Sequence, residues 1–163
     1  MFSKMIPEHS FGSLEDIRLK FLRQEGIRLL MLDFDNTILA YTQHGEPYWF
    51  RRWLREMQEG RIIVCVVTNS RKPKARQFCR QWNIPVYTHA RKPSPKKLES
   101  VRLRYNIPRE QCAMVGDQIF TDILAANRAW MHSYLVRPIR NHNIFLKARY
   151  SLQKLILKIA KRR

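Results

Sequence analysis

The chain has 163 residues, 45% of them hydrophobic, enough for a full core in one domain, and this excludes wholesale disorder. Its 31 Lys and Arg against 13 Asp and Glu give a formal charge of +18, and residues 123–163 carry 10 basic residues and no acidic one, so a polyanionic partner is expected, nucleic acid or an anionic membrane surface. The three cysteines form no CxxC pair, which argues against a disulfide framework. With no apolar signal core and no run of 18 apolar residues, a cytoplasmic protein is expected.

Ser13-Leu14-Glu15-Asp16 has the form of a capping box. It opens a first helix with Leu14, Ile17, Phe21 and Leu22 at helical spacing, running to Glu25 before Gly26. Ile27 to Asp33 reads as a buried parallel strand. A loop rich in aromatic residues (Tyr41, Tyr48, Trp49, Phe50) leads through Pro47 into a helix that reaches Glu59, with Gly60 as its stop. Strand Ile62 to Val67 is almost wholly β-branched and is followed by a helix from Pro73 to Trp82 and a short strand, Val86-Tyr87-Thr88. Ser94-Pro95 caps a helix to Tyr105. Strand Cys112 to Val115, a helix through Asn127, strand Tyr134-Leu135-Val136 and a basic amphipathic helix over about 141–161 complete the order. Such alternation predicts an α/β fold, a three-layer Rossmann-like parallel sheet with helices on both faces, as one domain over residues 1–163.

Ligands of such sheets bind outside the carboxyl ends of the strands. The first long strand ends in Asp33-Phe34-Asp35-Asn36-Thr37, the next in Thr68-Asn69-Ser70. The third leads to Arg91-Lys92-Pro93 and the fourth into Gly116-Asp117-Gln118 with Thr121-Asp122. Brought together, these residues supply a carboxylate nucleophile, a proton donor, a hydroxyl and a lysine for phosphate oxygens, and acidic ligands for Mg²⁺. That is the equipment of phosphoryl transfer.

In order and placement these motifs resemble those of the haloacid dehalogenase superfamily: DxDxT, a Ser or Thr, a Lys, and GDxxxxD. The resemblance spans residues 27–136. It implies that Asp33 is the nucleophile that forms an aspartyl phosphate, and that Asp35 is the acid and base. Thr68 and Lys92 would grip the phosphoryl group, with Thr37 and Asn69 also binding substrate. Asp33, Asp35 through its carbonyl, and Asp117 would hold Mg²⁺, with Asp122 in that set or behind it, positioning Lys92. Ala90-Arg91-Lys92-Pro93, and Leu135-Val136 followed by Pro138 and a basic tail, are similar to the YqeG-type group of capless phosphatases in subfamily IIIA. That group is related to phosphatidylglycerophosphate phosphatase. The resemblance implies hydrolysis of phosphatidylglycerophosphate to phosphatidylglycerol. Phe34 stands where Leu is usual, and Thr68-Asn69-Ser70 where Ser-Asn-Asn is commoner; neither removes a reacting group.

Spacing limits the substrate. Only 30 residues separate Thr37 from Thr68 and 23 separate Thr68 from Lys92, too few for a cap domain, so the site is expected to admit a lipid headgroup, a protein or a nucleic-acid end. In the C-terminal helix, Ile144, Phe145, Ala148, Leu152, Leu155, Ile156 and Ile159 share a stripe about 120° wide, with Lys147, Lys154, Lys158 and Lys161 on another side. The stripe suits either the sheet or an anionic membrane interface. The second choice would make the protein peripheral on the inner face of the membrane. The alternative functions are a capless phosphatase for nucleic-acid ends or a phosphoprotein, and a non-enzymatic basic protein bound to nucleic acid or the ribosome. Tyr41, Tyr48, Trp49, Phe50 and Trp53 are expected mainly in the core, the other reading being a flap that dips into lipid or lines the site. The five histidines have no metal-ligand spacing.

Overall fold

The computed structural model of the chain describes residues 2–140 and 144–160. Six strands are present: β1 (His9–Phe11), β2 (Leu29–Leu32), β3 (Ile63–Val67), β4 (Val86–Tyr87), β5 (Cys112–Gly116) and β6 (His132–Val136). They form one parallel sheet in the order β1-β6-β5-β2-β3-β4, with Met31 of central β2 level with Cys65 of β3 and Met114 of β5. Period-two alternation sends successive side chains to opposite faces. Leu30, Leu32, Val64, Val66 and Val115 pack against α1 (Leu19–Gln24), α2 (Phe50–Glu59) and α3 (Pro73–Gln81). Leu29, Met31, Cys65, Val67 and Met114 pack against α4 (Lys96–Arg104) and α5 (Leu124–Arg128). Both faces are therefore covered, and the fold is the three-layer α/β arrangement expected. The three cysteines are free and buried.

The first helix is broken where continuous periodicity was expected. Leu14–Asp16 is one 3₁₀ turn, and Asp16 Oδ2 accepts from the Ser13 N–H at 2.8 Å and its hydroxyl at 3.1 Å. Ile17 is then extended, at ψ 99°, and its carbonyl accepts the Trp53 indole N–H at 2.9 Å, so α1 begins only at Leu19. A tertiary bond has taken the oxygen that the helix would have used.

Strand β1, absent from the sequence reading, pairs with β6 through His9, Ser10 and Phe11. The aromatic residues divide: Phe50 and Trp53 are buried, whereas Tyr48 is 92% exposed. The last helix, α6 (Ile144–Ala160), buries Tyr150, Gln153 and Ile156. Positions 141–143 and Lys161, also assigned to this helix from the sequence, lie outside the described residues. The apolar stripe mostly faces outward: Ile144, Phe145, Leu152, Leu155 and Ile159 are each at least half exposed, and only Ile156 of that stripe is buried. No helix among the described residues is long and apolar enough to cross a membrane.

Candidate active site

The four polar strand ends converge at the carboxyl edge of adjacent β5, β2, β3 and β4. Asp33 leaves β2 with its N–H bonded to Val115 O at 2.8 Å. Thr68 leaves β3 with its N–H on Tyr87 O at 3.0 Å, and its carbonyl receives the Ala90 N–H at 3.1 Å. Each residue is fixed by the neighbouring strand or by the loop beyond it.

Lys92 stands at the centre. Its ammonium lies 2.7 Å from Asp33 Oδ1, 2.7 Å from Asp122 Oδ1 and 2.8 Å from Val67 O, with the side chain 1% exposed. The loop delivering it holds His89 and Arg91 at left-handed φ of 54° and 56°, costing on the order of 1 kcal/mol each. Asn69 keeps the Lys92 end of that loop in place. Its Oδ1 accepts the Lys92 N–H at 2.8 Å and its Nδ2 donates to Lys92 O at 2.9 Å. Expected to bind substrate, Asn69 here spends both ends of its amide on the Lys92 backbone and acts as a positioning residue. Gly116 serves Asp122 in a similar way: a Cβ at this position would stand 2.2 Å from Asp122 Oδ2. Only a glycine lets that carboxylate reach Lys92.

Asp33, Asp117 and Asp122 bring buried oxygens within 4.8 Å of one another. Three carboxylates face one buried ammonium, a surplus of two negative charges that matches a divalent cation. Burial is the main cause that pushes Asp33 up to about 7, opposed by Lys92 and reinforced by Asp122. Burial, then Asp33 and Asp122, raise Asp117 well above the carboxylate range. Burial alone would lower Lys92, yet Asp122 and Asp33 together hold it above its ordinary value. Asp117 Oδ1 is buried with no hydrogen-bond partner among the described residues, while its other oxygen takes the Tyr150 hydroxyl. An orphaned anionic oxygen beside Asp33 is what a hard cation's site needs. The donors fit a divalent cation, which Asp33 and Asp117 would hold through their side chains. Asp122, placed from the sequence in the metal set or behind it, lies in the same cluster, where its Oδ1 pairs with Lys92 and its Oδ2 accepts the Gln118 N–H at 3.2 Å.

The other expected residues sit around this centre. Burial raises the half-buried Asp35 carboxyl, against the opposing charges of Lys74, Lys72 and Lys92. Thr68 is buried, its hydroxyl accepting the Ser70 N–H at 3.1 Å. Thr37 is buried with its hydroxyl unpartnered among the described residues. Three further contributors surround the centre, of which the sequence reading missed Lys74 and α6. Lys74 donates to Ala40 O at 2.9 Å and Tyr41 O at 3.0 Å, tying the loop after Asp35 to α3. Tyr41 is pushed up to about 12, first by burial and then by the charges of Asp35, Asp117 and Asp33. The third is α6. Besides Tyr150, Gln153 donates to Asp117 O at 3.1 Å and accepts the Ile119 N–H at 2.9 Å, and Arg149 donates to Gln118 Oε1 at 2.6 Å. Only the position of Tyr150 and Gln153 three apart on one helix face hinted at this, and nothing in the sequence said which face was inward.

Comparison with known proteins agrees with this arrangement. The HAD-hydrolase-like family profile matches residues 89–138. The probable phosphatase YqeG of Bacillus subtilis is 26% identical over 159 residues, covering 97% of this chain and 92% of that protein. Two solved structures share the fold. The 4-nitrophenylphosphatase of Thermotoga maritima has a TM-score of 0.61 at 14% identity, over 76% of this chain and 91% of its own. The cobalt-bound deoxy-D-mannose-octulosonate 8-phosphate phosphatase of Haemophilus influenzae has 0.55 at 16%, over 83% and 90%. By these matches the chain is similar to the haloacid-dehalogenase-like hydrolases and, among them, to the YqeG-type phosphatases.

Proposed function

We propose that the chain is a Mg²⁺-dependent phosphomonoesterase that works through an aspartyl phosphate on Asp33, and that its substrate is phosphatidylglycerophosphate. The observation that carries the chemistry is the buried Asp33 carboxylate, held by Lys92 at 2.7 Å beside the unpartnered Asp117 oxygen.

Asp33 attacks phosphorus, and the bond to the leaving alkoxide breaks as Asp35, protonated, gives that oxygen its proton. Asp35, now a carboxylate, takes a proton from water. The water oxygen adds to phosphorus, and the acyl phosphate breaks to regenerate Asp33 and release phosphate. Lys92 and Thr68 face the phosphoryl oxygens. Asn69 and Asp122 keep Lys92 in place. Asp33 and Asp117 would hold Mg²⁺, whose positive charge would offset the repulsion between an anionic phosphate and an anionic nucleophile.

The substrate reading rests on accessibility and on α6. No cap stands over the site among the described residues, and α6 turns half-exposed Leu152, Leu155 and Ile159 outward. Exposed Lys154 and Lys158 flank them. A face of that kind suits an anionic bilayer, with the protein peripheral on its cytoplasmic side.

The test is Mg²⁺-dependent phosphate release from phosphatidylglycerophosphate in mixed micelles, from a 5′-phosphorylated oligonucleotide and from 4-nitrophenyl phosphate, with Asp33→Asn as control. Preference for the lipid, abolished in the variant, is expected. Turnover of the oligonucleotide alone would move the function to nucleic-acid ends while keeping the chemistry. No turnover of any substrate would overturn both.

A further inference from the structure

Beyond the reactive edge, a groove of about 860 Å³ runs between α6 and the carboxyl ends of β1 and β6. Its volume lies within the range of small-molecule sites, roughly 300–1,000 Å³. Leu135 and Leu157 meet at its apolar floor, Phe11 and Val136 line the strand ends with side chains in the core on the other face, and no lining residue among those described is acidic. Arg137, Lys154 and Lys158, all exposed, stand at the rim. Such a groove is complementary to an amphiphilic anion: apolar chains below, a phosphate above.

The groove is joined to the reactive centre. Tyr150 and Gln153 line it, and the same two side chains hold Asp117, so they form a partition with the groove on one side and the metal ligand on the other. Strand β6 is two places from β2, so its end lies about 10 Å from Asp33. A three-carbon bridge, fully extended, sets its two phosphorus atoms about 7–8 Å apart, and the long side chains of Arg137 and Lys154 are of a length to span the rest.

Resting on the lipid reading above, the geometry points to this groove as the binding site for the diester phosphate and the first segments of the acyl chains of the phospholipid whose terminal phosphate is hydrolysed. The phosphomonoester enters the site, the diester lies among Arg137, Lys154 and Lys158, and the chains follow the apolar floor. Leu152, Leu155 and Ile159, on the bilayer-facing side of α6, lie outside the groove lining, and Lys154 and Lys158 border both surfaces.

The test uses short-chain diacyl phosphatidylglycerophosphates kept monomeric, so that vesicle binding plays no part, with 4-nitrophenyl phosphate as a chainless substrate. For the full chain, KM should fall about threefold to fourfold for each methylene that becomes buried. Ser10→Trp, on the exposed edge strand lining the groove, fills it without touching the core. It should erase that chain-length dependence, raise KM at least tenfold for the longest substrate, and leave 4-nitrophenyl phosphate turnover and vesicle sedimentation unchanged. Lys154→Glu with Lys158→Glu should raise KM for every diester-bearing substrate and leave the chainless one alone. Binding of dihexanoyl phosphatidylglycerol, a product-like probe without the scissile group, to Asp33→Asn should be saturable and should weaken with Ser10→Trp. Lipid preference in the wild type that survives both sets of substitutions would overturn the groove while leaving the lipid reading standing. Turnover of 4-nitrophenyl phosphate with no lipid turnover would overturn the lipid reading, and the groove with it.

Discussion

Tyr150, in the last helix, donates its hydroxyl to the carboxylate of Asp117, at the end of β5, and occupies one of its two oxygens. The other oxygen is buried and without a partner among the described residues. A helix 33 residues further along the chain thereby decides which way the proposed metal ligand points. Removing the donor with Tyr150→Phe should weaken Mg²⁺ binding about 10- to 100-fold, as loss of an outer partner of a metal ligand commonly does. Calorimetric titration with Mg²⁺ measures this directly; unchanged affinity would show that Tyr150 only packs.

Asp33→Asn should remove the nucleophile and lower phosphate release by about 10⁴-fold or more, with the fold retained. Asp35→Asn should cost about 10²- to 10⁴-fold, the range for a lost general acid, and should hurt substrates with poor leaving groups most. Single-turnover assays with 4-nitrophenyl and alkyl phosphates separate the two; equal losses on both leaving groups with Asp35→Asn would deny it the acid role.

A methyl group at residue 116 has nowhere to go. Gly116→Ala places a carbon 2.2 Å from Asp122 Oδ2, forcing that carboxylate away from Lys92. Overpacking of this kind costs about 1–3 kcal/mol, and a disturbed buried ion pair adds to it. Thermal denaturation should record the loss, and activity should fall further than stability alone explains.

Stability should depend on pH in a way that Mg²⁺ abolishes. Asp33 rises from an ordinary 3.8 to about 7, and Asp117 shifts in the same direction, so between these limits the folded chain binds more protons than the unfolded one. The associated stability is complete below 3.8 and is lost as pH rises through about 7. Lys92, raised above an ordinary 10.5, contributes evenly across that window. In EDTA the melting temperature should therefore be lower at about pH 8 than at about pH 5.5. Saturating Mg²⁺ should flatten the slope; a flat profile in EDTA would contradict the buried, metal-free carboxylates.

Leu152→Ser with Leu155→Ser alters the outward face of α6, where the two are 50% and 53% exposed. Sedimentation with phosphatidylglycerol vesicles should drop about tenfold or more, while the melting temperature stays where it was. A fall in melting temperature with binding intact would assign that face to the fold.

The strands that build the site were legible because buried parallel strands are short apolar runs, and each here stops abruptly at polar residues: Leu32 before Asp33, Val67 before Thr68, Gly116 before Asp117. Strand β1 was not, since His9-Ser10-Phe11 is too short to carry a period. Helix α6 stayed open for a deeper reason. Periodicity finds the apolar stripe but not whether it meets the sheet or turns outward, and the inward face is set by Tyr150 and Gln153, whose polar groups satisfy Asp117 and the Ile119 N–H. The task of Asn69 was equally hidden, because its partner is the backbone of a residue 23 positions on.

The clamp on Asp117 also sets the order in which the protein becomes competent during synthesis. Asp33, Thr68, Lys92 and Asp117 have all left the ribosome before residues 150–153, so a nascent chain can hold a nearly complete sheet with an unsecured metal ligand. A chain stalled or clipped ahead of Tyr150 would resemble the finished protein in its sheet but hold the proposed metal more weakly, so full metal affinity comes only once translation has run past the clamp.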